Sequence, residues 1–242
     1  MLLTEIFDAL SYGELNQVHI GGFGERGVDP ANHPHILTHI NLGLTELHKR
    51  FNLREGRLTL NMVAGLDTYV LDKMYALGNP ESFGVPQYIQ DTYDEPFLND
   101  VLKVERVFDD KGNELALNAG DDPTNPRYVN IRTPTFNTLR VPAHLKSESL
   151  TVVYRAKHPE VIKEDTSFDP TETVVDLPYS HLEALLYYVA SRVYNPIGNL
   201  GEFHEGNNYA AKFEAACRLL ENQGLQINNG ELNHRLIRNG WV

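Results

Sequence analysis

His33, His35, His39 and His48 gather in one stretch, and His35 stands one helical turn from His39, a spacing at which two imidazoles could share a metal ion. No Glu follows His35 as a zinc-protease motif requires, and no third ligand stands beside the pair, so imidazoles facing solvent are the expectation. Gly21-Gly22-Phe23-Gly24 has the glycine content of a phosphate-cradling loop. It lacks the preceding strand and the following Lys-Ser/Thr of a Walker motif, and reads as a flexible loop. Asp109-Asp110-Lys111-Gly112-Asn113 shares only its acidity with a calcium loop, because the twelve-position spacing and closing Glu are missing. A nucleophile elbow, paired cysteines and a dinucleotide glycine pattern are also absent, and the carboxylates are too scattered to single out a pair for glycoside chemistry. Catalysis is therefore not expected, and neither is a cofactor or a resident metal.

The elements carrying these residues are best marked at the C-terminal side. Leu182, Leu185, Leu186, Val189 and Val193 recur at helical spacing, with Pro178 in a first-turn position and Asp176 as the expected cap. Asn195-Pro196-Ile197-Gly198 ends that helix. A second helix is predicted from about Glu202 to Asn222, with Phe203, Tyr209, Phe213, Ala216, Cys217 and Leu220 inward and Gly224 as its stop. So short a connection makes an αα-hairpin. Its skin is unusually aromatic, with Tyr179, Tyr187, Tyr188, Tyr194 and Tyr209. Two readings stand: the tyrosines cover neighbouring loops within the monomer, or they form a subunit interface, where tyrosine is enriched.

Toward the N-terminus, Leu3, Ile6, Phe7 and Leu10 make a short amphipathic helix with Thr4 as its expected cap and Gly13 at its end. Ile36, Leu37, Ile40, Leu44, Leu47 and Phe51 make a longer one after Asp29-Pro30. From Arg54 the period changes to alternation. Arg57 to Met62, Thr68 to Leu71, Val101 to Phe108, Glu114 to Leu117, Tyr128 to Arg132, Thr138 to Val141 and Leu150 to Arg155 read as short strands between Pro, Gly and Asn turns. The excursion from Ala76 to Pro96 carries Phe83, Tyr88 and Tyr93 as a candidate contact loop.

The implied fold class is α+β. A helical bundle domain, residues 1–53 with the αα-hairpin 177–224, carries an inserted antiparallel β-sandwich domain at 54–176 and an extended C-terminal arm at 225–242. The 242 residues suffice for a large core, 41% of them are hydrophobic, and no apolar run spans a bilayer. No membrane partner is expected, and the start lacks the pattern of a secretory signal. Cys217 is the single cysteine, read as a small buried hydrophobe. The formal charge of −12 repels DNA as a whole and excludes a sequence-reading nucleic-acid protein, while suiting a surface past which DNA must slide.

Leu177-Pro178-Tyr179, Tyr187-Tyr188-Val189-Ala190-Ser191-Arg192, Asn195-Pro196-Ile197-Gly198 and Asn208-Tyr209-Ala210-Ala211-Lys212-Phe213 resemble the C-terminal helices of podovirus head-to-tail adaptor proteins, and the chain is similar to the wider tail tubular protein A group. The N-terminal helix, the stretch Asn41 to Phe51 and the strand Leu102 to Phe108 with its hairpin share that likeness. The resemblance implies a ring of twelve subunits in the virion neck, assembled in the host cytoplasm. Such a ring attaches below the portal protein, extends the channel for genomic DNA and offers a platform to a tail tube or nozzle protein. It brings no catalytic residue.

Candidate portal or subunit contacts are Tyr187 and Tyr188 on the hairpin and Arg235, Leu236, Arg238 and Trp241 on the arm, since Trp and Arg dominate interface energies. The alternatives are a carbohydrate- or receptor-binding module built on the β domain with Phe83, Tyr88 and Tyr93, and a metal-dependent hydrolase built on His35 and His39.

Overall fold

The computed structural model describes residues 1–17, 19–20, 27–79, 84–91, 96–120, 129–161, 169–194 and 200–224. The fold is α+β, in two compact units: Met1–Leu53 with Glu160–Val242, and Arg54–Pro159. The first unit holds four α-helices among the described residues, α1 (Leu3–Tyr12), α2 (His33–Arg50), α3 (Leu182–Tyr194) and α4 (Leu200–Asn222), with a two-residue parallel pair, β1 (His19–Ile20) and β2 (Gly27–Val28). α3 packs against α1, α2 and α4.

The helix starts differ from the expected caps. Glu5 accepts the Leu2 N–H at 2.9 Å from within the first turn of α1, while Thr4 lies inside the helix and its N–H donates to Pro170 O. Asp29 caps a 3₁₀ turn (Pro30–Asn32) that leads into α2, and a second such turn (Tyr179–His181) opens α3 from Pro178 without a side-chain cap. Residues 160–176, expected with the strands, belong to the helical unit. Val161 and Val175 are buried in its core, Asn41 clamps Val161 through both side-chain groups at 2.9 and 3.0 Å, and the Leu3 N–H donates to Thr173 O. That stretch has no period of its own, so its pattern could not say which core it joins.

The inward stripes of α1, α2 and α3 fall as their spacing demands: Leu3, Ile6, Phe7, Leu10, Ile36, Leu37, Ile40, Leu44, Leu47, Leu185 and Val189 form one buried cluster. Gly43 sets how closely α2 approaches α3. A Cβ there would lie 2.6 Å from Leu185 Cδ1 and 2.9 Å from Tyr188 Cδ1. α4 is held to α2 by Arg50, whose Nε and Nη1 donate to Glu221 at 2.5 Å and Glu214 at 2.8 Å. Cys217 lies fully buried between these acids, and burial pushes its thiol up to about 11, leaving it protonated and unreactive.

Of the clustered histidines His35 is exposed as expected, while His33, His39 and His48 are less so. His48 is 1% exposed and its Nδ1 donates to Leu44 O at 2.8 Å, while His33 stacks on Phe7 with centroids 3.8 Å apart. His181 is 2% exposed, meets Phe51 edge-on at 4.8 Å, and has no partner for its Nε2. Burial holds the His181 ring below its ordinary value of 6.5. The unfolded chain therefore binds the proton more readily, so this contribution to stability is complete above about pH 6.5 and is lost as pH falls below it. The helical unit's melting temperature should drop between about pH 6.5 and pH 5, and His181→Leu should flatten that slope. An unchanged slope in the variant would contradict the assignment.

The second unit is one eight-stranded sheet in the order β4-β9-β8-β7-β6-β10-β3-β5. Its strands are β3 (Glu55–Asn61), β4 (Thr68–Val70), β5 (Ile89–Gln90), β6 (Val101–Phe108), β7 (Glu114–Leu117), β8 (Asn130–Thr135), β9 (Thr138–Arg140) and β10 (Ser149–Ala156). Where two facing antiparallel sheets were expected, a parallel β7–β8 pairing joins the strands into one hydrogen-bonded order. Alternation puts Leu58, Leu60, Val104, Val107, Leu150, Val152 and Tyr154 on the buried side.

The sheet curls until its two edge strands meet through one side chain. Tyr88, just before β5, donates its hydroxyl to Val70 O of β4 at 3.0 Å and accepts the Val70 N–H at 2.8 Å. An edge that would otherwise present bare backbone groups is thereby satisfied. The Tyr88 ring stacks on Tyr75 at 4.9 Å and meets Tyr69 edge-on at 5.0 Å. At 1% exposure it is a core residue, which removes it from the candidate contact loop; Phe83 and Tyr93 lie outside the described residues.

Candidate assembly surface

The hairpin tyrosines divide into packing groups and a half-exposed cluster. Tyr188 is 7% exposed, packs edge-on to Phe213 at 5.3 Å, and lies under Arg192, whose guanidinium stands 5.1 Å from the ring centre and donates to the Tyr188 hydroxyl at 3.2 Å. It supports the α2–α3–α4 junction and has little surface to offer. Tyr194 is also buried; its ring stacks on Tyr209 at 5.4 Å, and the hydroxyls of both donate to Glu14 O, at 3.0 and 3.3 Å. Covering neighbouring loops within the chain is thus the observed role of these two.

Tyr187 and Tyr209 remain half-buried, with ring centres 6.2 Å apart. Each follows a glutamate by one helical turn: Glu183 precedes Tyr187 on α3 and accepts its hydroxyl at 2.7 Å, and Glu205 precedes Tyr209 on α4. The exposed Lys212 ammonium sits 4.6 Å above the Tyr209 ring and 5.7 Å above that of Tyr187. The Glu183 hydrogen bond, then burial, then the Glu183 and Glu14 charges push the Tyr187 phenol up to about 12, and burial followed by Glu14 and Glu205 raises Tyr209. Glu14 Oε2 is shielded from water without a hydrogen-bond partner. The result is an aromatic patch in a negative surround that already holds one cation.

No such chemistry gathers around His35 and His39. His35 is exposed, and the His39 imidazole is held low by burial first, then by the Arg192 guanidinium and His35. Among the described residues no three His, Cys, Asp or Glu side chains converge as ligands. The acidic turn is structural: Asp109 accepts the N–H groups of Lys111 and Asn113 and the Asn113 side-chain amide, and the Asn113 amide, ahead of those backbone bonds, holds its carboxyl low.

In the β unit a cleft of about 460 Å³ runs along β3, lined by Arg54, Gly56, Asp91, Phe97, Asp100 and Tyr154 among others. Tyr154 crosses Gly56, where a Cβ would meet the ring, and donates its hydroxyl to Asp100 at 2.9 Å. Its principal polar groups are committed to one another. Arg235, Leu236, Arg238 and Trp241 lie outside the described residues. No helix among the described residues is long and apolar enough to cross a membrane.

The model of the SU10 adaptor protein family matches residues 11–234, across both units. The chain belongs to that family. It is a phage adaptor protein, a structural component of the virion. A comparison with curated proteins found no match. In this adaptor the tyrosine patch follows from two Glu-x-x-x-Tyr turns facing each other across α3 and α4. The aromatic count of the hairpin was a visible signal; the convergence of both tyrosines on Lys212 and Glu14 was not, because Glu14 is remote in sequence.

Proposed function

We propose that this adaptor assembles as a homo-oligomeric ring of twelve copies in the virion neck, attached below the portal protein. The ring continues the channel for genomic DNA and presents a platform to the tail tube or nozzle protein. The observation that carries this reading is the adaptor family match, which runs through the helical and β units alike. The formal charge of −12 supports it, because a conduit for DNA must not hold its cargo. The adaptor acts by binding, without a catalytic step, and is built into particles in the host cytoplasm. Podovirus architecture is the setting that the hairpin motifs suggest.

Portal protein of the same phage, immobilised, should retain this chain from solution and release it when portal is eluted. A chain that passes unretained, while portal still captures other neck components, would overturn the reading.

A further inference from the structure

We infer that the Tyr187–Tyr209 patch receives the arginines of residues 225–242 from a second copy of the chain. This rests on the ring reading above and names the partner of that surface. Three observations support it. The patch shows its ligand preference directly, since an ammonium, that of Lys212, stands over both rings. It carries more negative charge than Lys212 balances, because the exposed Glu183 and Glu205 flank the two tyrosines. The segment 225–242 has the complementary character within a chain of net charge −12, because Arg235 and Arg238 outnumber its single carboxylate, Glu231, and Trp241 adds an aromatic anchor. A guanidinium suits the site better than a second ammonium, since its plane stacks on tyrosine while its N–H groups reach a carboxylate. Tyr194 stacks on Tyr209 and holds that side of the patch in place, and neither it nor the buried Tyr188 takes part in the docking.

Charge reversal in the full-length chain tests this by sedimentation equilibrium. Glu183→Arg with Glu205→Arg, or Arg235→Glu with Arg238→Glu, should weaken self-association by about tenfold or more. All four changes together should restore it to within about threefold of the unaltered chain. Thermal melts of each variant identify any that fail to fold, and the four-change variant supplies the folded comparison. No loss in either pair, no restoration in the combination, or a wild-type chain that stays monomeric at every concentration would overturn the docking. Reversals without effect, in a chain still found in the virion neck, would defeat the docking alone. Absence from the neck would defeat the ring reading itself.

Discussion

Tyr88→Ala is expected to cost the β unit about 3–5 kcal/mol, the range for removing a large buried aromatic side chain. Two losses coincide. The ring leaves a cavity between Tyr69 and Tyr75, both of which it touches. Its hydroxyl leaves the Val70 N–H and C=O without the partner that closes the sheet. The contact tying the two edge strands together disappears with it. Tyr88→Phe separates these effects, since it keeps the ring and loses only the hydroxyl, and should cost about 1 kcal/mol because water can reach part-buried Val70. Denaturant unfolding followed by tyrosine fluorescence would read both. Equal losses in the two variants would show that packing of the ring matters less than the hydroxyl.

Gly43→Val should destabilise the helical unit by about 1–3 kcal/mol through overpacking. The valine Cβ alone would meet Leu185 and Tyr188 at 2.6 and 2.9 Å, closer than real contacts permit, so α2 and α3 must separate or Tyr188 must leave its place. Tyr188 carries the contacts to Phe213 and Arg192, and the disturbance should spread into α4. Gly43→Ala is the informative milder change. Alanine gains about 1 kcal/mol of helix propensity over glycine, and a net loss in spite of that gain would measure the steric cost directly. A stabilised alanine variant would show that the α2–α3 approach is looser than the geometry indicates.

These two residues also show where sequence reading reaches its limit. The stripes of α1, α2 and α3 were legible because large apolar side chains repeat at the helical period. Gly43 was not, since a glycine announces itself only by interrupting a pattern and does not say which neighbour needs the space. The strands were legible as alternation, yet their arrangement was not: the parallel β7–β8 pairing and the Tyr88 closure link stretches with no shared local signal. Tyrosine excess on the hairpin was plain from composition. That Tyr194 and Tyr209 bond to the carbonyl of Glu14, while Tyr187 keeps a half-exposed face, depends on tertiary contacts spanning most of the chain. His48 was misjudged for a related reason, and His181 went unmarked. Imidazole is polar enough to read as surface, and small enough to be buried when a carbonyl or an aromatic edge receives it.

A cryo-electron-microscopy reconstruction of the virion neck tests the central claim most directly. The expected result is a ring of this chain between portal and tail, its helical and β units both fitting the density around the DNA channel. Density for the neck that this chain does not fit, or its location elsewhere in the particle, would contradict it.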